Sequence, residues 1–382
     1  MLPSPELLQA LKTLRRDLHQ YPELAGQEQG TGARLQQFLS RYPPDRLLAD
    51  LGNTGFAAIY HGTVPGPTLA IRGDIDALPI MEAATCPHRS RHANVAHLCG
   101  HDGHATILCG VAALLARRRP ARGRVVLLWQ PAEEIGCGAR WLLADPRFTE
   151  LAPDVIFGLH NLPGFPLGQV VWRHGSFAAA SKGLILRLTG ATAHAAQPES
   201  GRSPALAVAY LIAQLTQLPQ TASDYCDFVQ VTVVHARLGE VAFGTAPGEA
   251  VVMATLRSYR DDDMARLTDR AIALGQTAAQ ADGLQLAIEW TDEFAATVNH
   301  RAAVEQVRQA AIACHYDQHE LTTPFRWSED FGEYTRRYSG AFLGLGAGEQ
   351  HPHLHQADYD FPDELLERGV KLFATLIRHS LG

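Results

Sequence analysis

Apolar residues set the first elements. Leu7, Leu8, Leu11, Leu14 and Leu18 recur at helical spacing between Leu7 and Gln20, and a second helix is predicted from Thr31 to Ser40. Extended segments follow at Gly55 to Tyr60 and Thr68 to Ile71, then a helix from Asp102 to Arg118 and the unbroken apolar run Val125 to Trp129. A short helix near Gly138 to Leu143 precedes the strand-like Val155 to Leu159. Strands alternating with helices predict an α/β layer built on a central, mostly parallel sheet with flanking helices.

Between about Lys182 and Thr291 the rhythm changes. The pattern reads strand (Gly183 to Leu188), helix (Pro204 to Leu218), strand (Phe228 to His235), strand (Ala250 to Tyr259), helix (Asp262 to Ala281) and strand (Leu284 to Trp290). That order is the split βαβ, ferredoxin-like arrangement, which forms a compact α+β domain of its own. The α/β character resumes with a helix from Ala302 to Ala313, the apolar stretch Ala341 to Leu345 and a last helix from Asp363 to Leu381. The expected organisation is therefore one domain made of residues 1–180 and 292–382, with residues 181–291 inserted into it.

A chain of 382 residues is long enough for two domains, and 46% hydrophobic with 19% charged residues is the balance of a folded globular protein. Its net charge of -7 gives nucleic acid no electrostatic reason to bind. The basic run Arg117-Arg118-Arg119, with Arg122 and Arg124, falls at a predicted helix end, where cations favour the dipole. No apolar run is long enough to span a bilayer and the N-terminus has no signal-peptide pattern, so the cytoplasm is the expected location. Six scattered cysteines lack the density of a disulfide scaffold, and only Cys99 keeps company that suggests chemistry.

That company is His97-Leu98-Cys99-Gly100-His101-Asp102-Gly103-His104, directly before an apolar helix. Imidazole nitrogen, thiolate and carboxylate oxygen are the groups that bind zinc and its neighbours, and a loop entering a helix can aim several at one point. The bland alternative is a polar cap with Asp102 at the helix start. A second signal, Gln130-Pro131-Ala132-Glu133-Glu134, puts adjacent carboxylates at the end of an apolar strand, where mutual repulsion calls for a cation unless they simply open a solvated helix. His160 closes the strand-like Val155 to Leu159, at the edge where open α/β sheets place ligands. His351, His353 and His355 share a loop near the C-terminus that could equally be a solvated turn.

Taken together, these segments, with Leu18-His19-Gln20-Tyr21-Pro22-Glu23-Leu24 and Arg72-Gly73-Asp74-Ile75-Asp76-Ala77-Leu78-Pro79, resemble the zinc aminoacylase and carboxypeptidase superfamily. The resemblance lies in the branch of hippurate hydrolases, N-acyl amino acid amidohydrolases and plant auxin-conjugate hydrolases, and its motifs run through nearly the whole chain. It implies a metal-dependent hydrolase of linear amides with Cys99, His101, Glu134, His160 and His355 as ligands of two divalent ions per subunit. Zinc is the first expectation; manganese, cobalt and nickel tolerate the same mixed ligands. It further implies Glu133 as general base, with Asp76 in the catalytic set and Asp74, Asp102 and His104 beside the ligands, where such groups orient imidazoles. In the family the inserted domain acts as a lid and dimerisation module. His194 would there hydrogen-bond the carbonyl oxygen as charge develops, and Arg257 would grip a substrate carboxylate. The expected partners are a small N-acyl amino acid or dipeptide and a second copy of the chain.

Two segments depart from the family pattern. Phe243-Gly244-Thr245-Ala246-Pro247 stands where relatives carry Asn-Val-Ile-Pro, so an amide is missing. Thr85-Cys86-Pro87-His88-Arg89-Ser90-Arg91-His92 is unusually basic beside the metal loop. The competing expectations are a dipeptidase, or a non-catalytic relative that binds metal or ligand without turnover.

Overall fold

A computed structural model describes residues 3–220 and 225–382. The chain divides into two compact units, the first made of Met1–Phe177, Thr297–Thr323 and Asp330–Gly382, the second of Ala178–Ala296 with Pro324–Glu329.

The first unit is built on an eight-stranded sheet. In spatial order the strands are Arg46–Leu51, Gly55–His61, Arg122–Gln130, Val64–Asp74, Val155–Pro163, Ser339–Gly348, Val170–Trp172 and Gln318–Glu320. Pairing is parallel across the middle, from Arg122–Gln130 to Ser339–Gly348, and again between the last two strands; the other pairs are antiparallel. Val125, Val126, Leu127, Leu128 and Trp129 are fully buried, as expected of a parallel strand covered on both faces. The polar strand Gln318–Glu320 carries no such signature, which is why periodicity does not reveal it.

Helices Pro5–Gln20, His101–Arg117, Arg301–Cys314 and Glu364–Leu381 pack on one another around this sheet. In the first of them Leu7, Leu11, Leu14 and Leu18 form the buried stripe, Ser4 caps the start by accepting the Leu7 amide at 3.3 Å, and Pro5 sits in the first turn, where its missing N–H is not needed. The stripe also buries Arg15 and His19, two polar residues whose partners matter below.

The second unit runs strand, helix, strand, strand, helix, strand. Its antiparallel sheet has the spatial order Val229–Leu238, Glu249–Ser258, Ala180–Thr189, Gln285–Phe294, with helices Ala205–Gln217 and Asp261–Ala281 packed on it. Leu184, Leu186, Leu188, Leu211, Leu215, Val252, Leu256 and Leu267 form its core. The return segment Pro324–Glu329 joins this unit because the Ala179 amide donates to Phe325 and Trp327 carbonyls and Arg257 to the Arg326 carbonyl. No local pattern predicts that. Among the described residues no helix is long and apolar enough to cross a membrane, and all six cysteines are free.

Candidate metal centre

Parallel strands deliver their C-terminal ends to one edge of a sheet, and the loops leaving that edge carry the chemistry. Asp74 ends Val64–Asp74 and Asp76 follows it; Glu133 and Glu134 follow Arg122–Gln130; His160 lies near the end of Val155–Pro163; His355 lies in the loop after Ser339–Gly348. Cys99 and His101 come from the loop and first residue of the helix His101–Arg117.

That helix begins on Gly100 at φ +97° rather than on a side-chain cap. A Cβ at Gly100 would lie 2.1 Å from Asn161 Oδ1, so glycine alone lets the loop pass. Asp102, expected beside the ligands with a helix cap as the alternative, is buried in the helix's first turn. It turns away from the ligands to accept from His19 Nδ1 at 2.9 Å, an imidazole outside the ligand set.

The donor atoms converge in two groups, each spanning no more than 4.8 Å: Cys99, His101 and His160, and Cys99, Glu134 and His355. Hydrogen bonds prepare the imidazoles for this. His101 Nδ1 donates to the Asp76 carbonyl at 2.9 Å and His160 Nδ1 to the Asn161 carbonyl at 2.8 Å, leaving Nε2 of each ring as the ligating lone pair. His160 Nε2 stands 3.4 Å from Cys99 Sγ. His355 is held at φ +66° with its amide donating to the Leu98 carbonyl at 2.8 Å, and its Nε2 is 3.6 Å from Glu134 Oε2. His101 Nε2 lies 3.7 to 3.9 Å from Asp74 Oδ2, Glu133 Oε2 and Glu134 Oε1.

The imidazole–carboxylate spacings of 3.6 to 3.9 Å are too long for hydrogen bonds and suit groups sharing a cation. His101 Nε2 and Glu134 Oε1 are buried without a hydrogen-bond partner, which native interiors avoid unless something else satisfies them. The electrostatics agree. Burial opposes charge on His101, yet Asp74, Asp76 and Glu134 together push its pKa up to about 10. Burial, with Asp76 adding to it, pushes the Glu134 carboxyl up to about 7. The pocket therefore demands positive charge, and the mixed nitrogen, sulfur and oxygen donors fit a first-row divalent ion.

A carboxylate layer holds the donors in place. Asp76 Oδ2 accepts the Glu134 amide at 2.9 Å, and Asp74 Oδ1 binds His104 Nδ1 at 2.6 Å while its other oxygen pairs with Arg72. Arg72 reaches on to Asp330, which also accepts from Gln130 and the Ala139 amide. Glu28 accepts the amide of Ala132 at 2.9 Å, and Ala132 sits at φ +53° immediately before Glu133. Sequence reasoning gave Glu28, Asn161 and Asp330 no role, and no local signal could have found them.

His194 and Arg257 belong to the second unit. The bridge Ala193–His194 pairs with Thr245–Ala246, which sets Thr245 opposite His194 in the segment that departs from the family pattern. His194 Nδ1 accepts the Ala196 amide at 3.0 Å, so a neutral ring carries its proton on Nε2. Arg257 Nη1 donates to the Arg326 carbonyl and to Ser328 Oγ.

The model of peptidase family M20/M25/M40 matches residues 70–379. The chain belongs to that family. It is a metal-dependent hydrolase acting on amide bonds. Curated relatives include an N-acetyl-L-cysteine deacetylase of Bacillus subtilis, 31% identical over 90% of this chain and 82% of its own length. An N-acetyldiaminopimelate deacetylase of Listeria innocua is 28% identical over 97% of this chain and 99% of its own. Among solved structures, the Bacillus subtilis YXEP protein, a dinuclear metal binding peptidase from the M20 family, has a TM-score of 0.84 and 26% identity, covering 99% of both chains. A putative aminohydrolase from methicillin-resistant Staphylococcus aureus shares the fold, with a TM-score of 0.89 and 24% identity.

Proposed function

We propose that this M20 hydrolase cleaves the amide bond of small N-acyl amino acids, using two divalent ions held by Cys99, His101, Glu134, His160 and His355. The observation that carries the reading is the pair of donor groups sharing Cys99, with two buried atoms, His101 Nε2 and Glu134 Oε1, that lack hydrogen-bond partners. The activities of the two deacetylases support an N-acyl substrate, and the dinuclear Bacillus subtilis structure supports a pair of ions.

When bound, such ions supply Lewis acidity at the carbonyl and lower the pKa of water. Glu133 takes the proton of the attacking water and returns it to the leaving nitrogen. Asp76 holds His101 through both its carbonyl and its carboxylate, at 2.9 and 3.3 Å, so that Nε2 stays turned to the ions. His194, with its proton on Nε2, donates to the carbonyl oxygen as negative charge develops there. Arg257 grips the substrate carboxylate. The chain works as a homodimer through its second unit. The exposed edge strand Val229–Leu238, with Val234 60% accessible, supports that reading, as do the exposed Val241 and Phe243 nearby.

The test is a hydrolysis panel of N-acetyl and N-benzoyl amino acids and dipeptides, with zinc, manganese, cobalt and nickel supplied separately. Release of free amino acid from the N-acyl compounds is expected. Turnover confined to dipeptides, or none with any metal, overturns the reading.

A further inference from the structure

A second cluster of donors stands behind Asp102, apart from the groups assigned above. His19 Nε2, Glu82 Oε1 and Cys86 Sγ lie within 4.8 Å of one another, and Cys86, His88 and Asp360 form an overlapping group. His19 and Glu82 are buried, while Cys86 is half-buried and gives the cluster an open side. Cys86 and His88 come from the basic segment Thr85 to His92 beside the metal loop.

We propose that His19 Nε2, Glu82 Oε1 and Cys86 Sγ form a third metal site, for a thiophilic divalent cation such as Zn²⁺, with its open position toward His88 and Asp360. The site goes beyond the hydrolytic reading and does not depend on it.

Three observations carry the inference. The first is orientation. His19 Nδ1 donates to Asp102 Oδ2 at 2.9 Å, so in a neutral ring Nε2 is a lone pair, and it faces the Glu82 Oε1 carboxylate oxygen at 3.3 Å. At that distance the contact holds either a proton on Nε2 or a cation between the two atoms. An imidazole that gives one N–H to a carboxylate and turns its other nitrogen outward is the usual arrangement of a metal-bound histidine.

Spacing is the second. Zinc binds nitrogen at ~2.0–2.1 Å, oxygen at ~2.0–2.2 Å and sulfur at ~2.3 Å, which puts neighbouring donors of a tetrahedral site roughly 3.3–3.6 Å apart. His19 Nε2 to Glu82 Oε1 is 3.3 Å, within that range, and Cys86 Sγ to Glu82 Oε1 is 3.8 Å, a side-chain shift of a few tenths of an ångström from it. Nitrogen, oxygen and sulfur from three side chains leave a fourth position, and the mixture favours zinc over magnesium or calcium.

The third is support. Glu82 Oε2 accepts the Ser90 amide at 2.6 Å, which fixes the carboxylate with its other oxygen toward His19 and Cys86. Arg15 directs its guanidinium to Asp102, Asp360 and Asp363, at 3.4, 2.5 and 3.0 Å. The arginine thus neutralises the carboxylates around the cluster without taking the place of an ion beside Glu82. His88 Nε2 and Asp360 Oδ2, 2.8 Å apart, flank the open position.

A proton is the competing occupant, with His19 as an imidazolium bridging Asp102 and Glu82. Metal content separates the two. Full-length protein is stripped and reloaded with Zn²⁺, and bound zinc is counted for the wild type and Cys86→Ser. In parallel, wild-type protein is alkylated with iodoacetamide in Zn²⁺ or in Mg²⁺, and the Cys86 peptide is followed by mass spectrometry. Wild type should hold about one zinc per chain more than Cys86→Ser, and Zn²⁺ but not Mg²⁺ should slow Cys86 alkylation at least about tenfold. Equal zinc in the two proteins, or unprotected Cys86, overturns the site. If Cys86→Ser does not fold, protection of the wild-type thiol decides alone. Because the readouts are metal content and the Cys86 peptide, they are independent of substrate.

Discussion

Glu28 is a sharp test of how the site is held, because it touches neither substrate nor donor atoms. Its buried carboxylate accepts the Ala132 amide and the Gly26 amide at 2.9 Å each through Oε1, and the Thr54 hydroxyl at 2.5 Å through Oε2. Ala132 is fully buried and sits at φ +53°, a left-handed conformation that disfavours a residue with a Cβ by roughly 1–2 kcal/mol. Beyond it the chain folds back, with the Cys137 and Gly138 amides both donating to the Ala132 carbonyl. Glu28 is thus the clamp that keeps the turn strained just where Glu133 and Glu134 begin.

In Glu28→Ala the buried Ala132 amide loses its acceptor, costing about 1–3 kcal/mol, and the half-buried Gly26 amide loses one at a smaller cost. Part of this is returned, because burial already holds the Glu28 carboxyl above its ordinary range and the variant no longer buries a charge. The net expectation is a loss of about 1–3 kcal/mol, read by urea unfolding. If the turn relaxes and Glu133 moves by about 1 Å, kcat falls on the order of 100-fold. Ala132→Gly is the control. It removes the left-handed penalty but gives up a fully buried methyl worth about 0.8 kcal/mol and adds unfolded-state entropy of roughly 0.4–1 kcal/mol, so stability should hardly move and activity should persist while Glu28 is present. Glu28→Ala with stability within about 0.5 kcal/mol of wild type and unchanged kcat would refute the clamp.

Other perturbations probe the site directly. Glu133→Gln should lose activity by at least about 10²–10⁴-fold while metal content stays near normal, and loss of metal together with activity would contradict its role as base. Gly100→Ala drives a methyl into Asn161 at a left-handed position, so thermal unfolding should show a loss of roughly 2–5 kcal/mol, and bound metal should fall with it. Chelation should abolish turnover and lower Tm: an ion held at 100 times its Kd contributes about 2.7 kcal/mol, equivalent to roughly 3–5 °C in a chain of this size. A chelated protein with unchanged Tm would speak against an ion satisfying His101 Nε2 and Glu134 Oε1.

What the sequence makes legible depends on whether a feature is local. The central strands read clearly because a parallel strand covered on both faces is a continuous apolar run, as Val125 to Trp129 shows. The donor-rich segments read clearly for a related reason: thiol, imidazole and carboxylate crowded at strand ends and a helix entry are costly to leave together without a cation. The inserted unit shows in the changed order of its strands and helices, although the return of Pro324–Glu329 to that unit does not.

The supporting layer is different in kind. Glu28 and Ala132 are 104 residues apart, and Arg72 and Asp330 are 258 apart. Each of these residues is an ordinary charged or small residue in its own neighbourhood, and its meaning arises only when the sheet brings distant loops to one edge. Asp102 makes the same point from the other side. Its place beside His101 suggested service to the ligands, but helical geometry turns successive side chains by about 100°, and Asp102 instead faces His19 and Arg15. Residue type therefore locates where an ion can be bound, and the fold decides which neighbours hold the donors still. Substitutions that spare every donor, such as Glu28→Ala, should for that reason separate the two contributions more cleanly than removal of a ligand, which disturbs both at once.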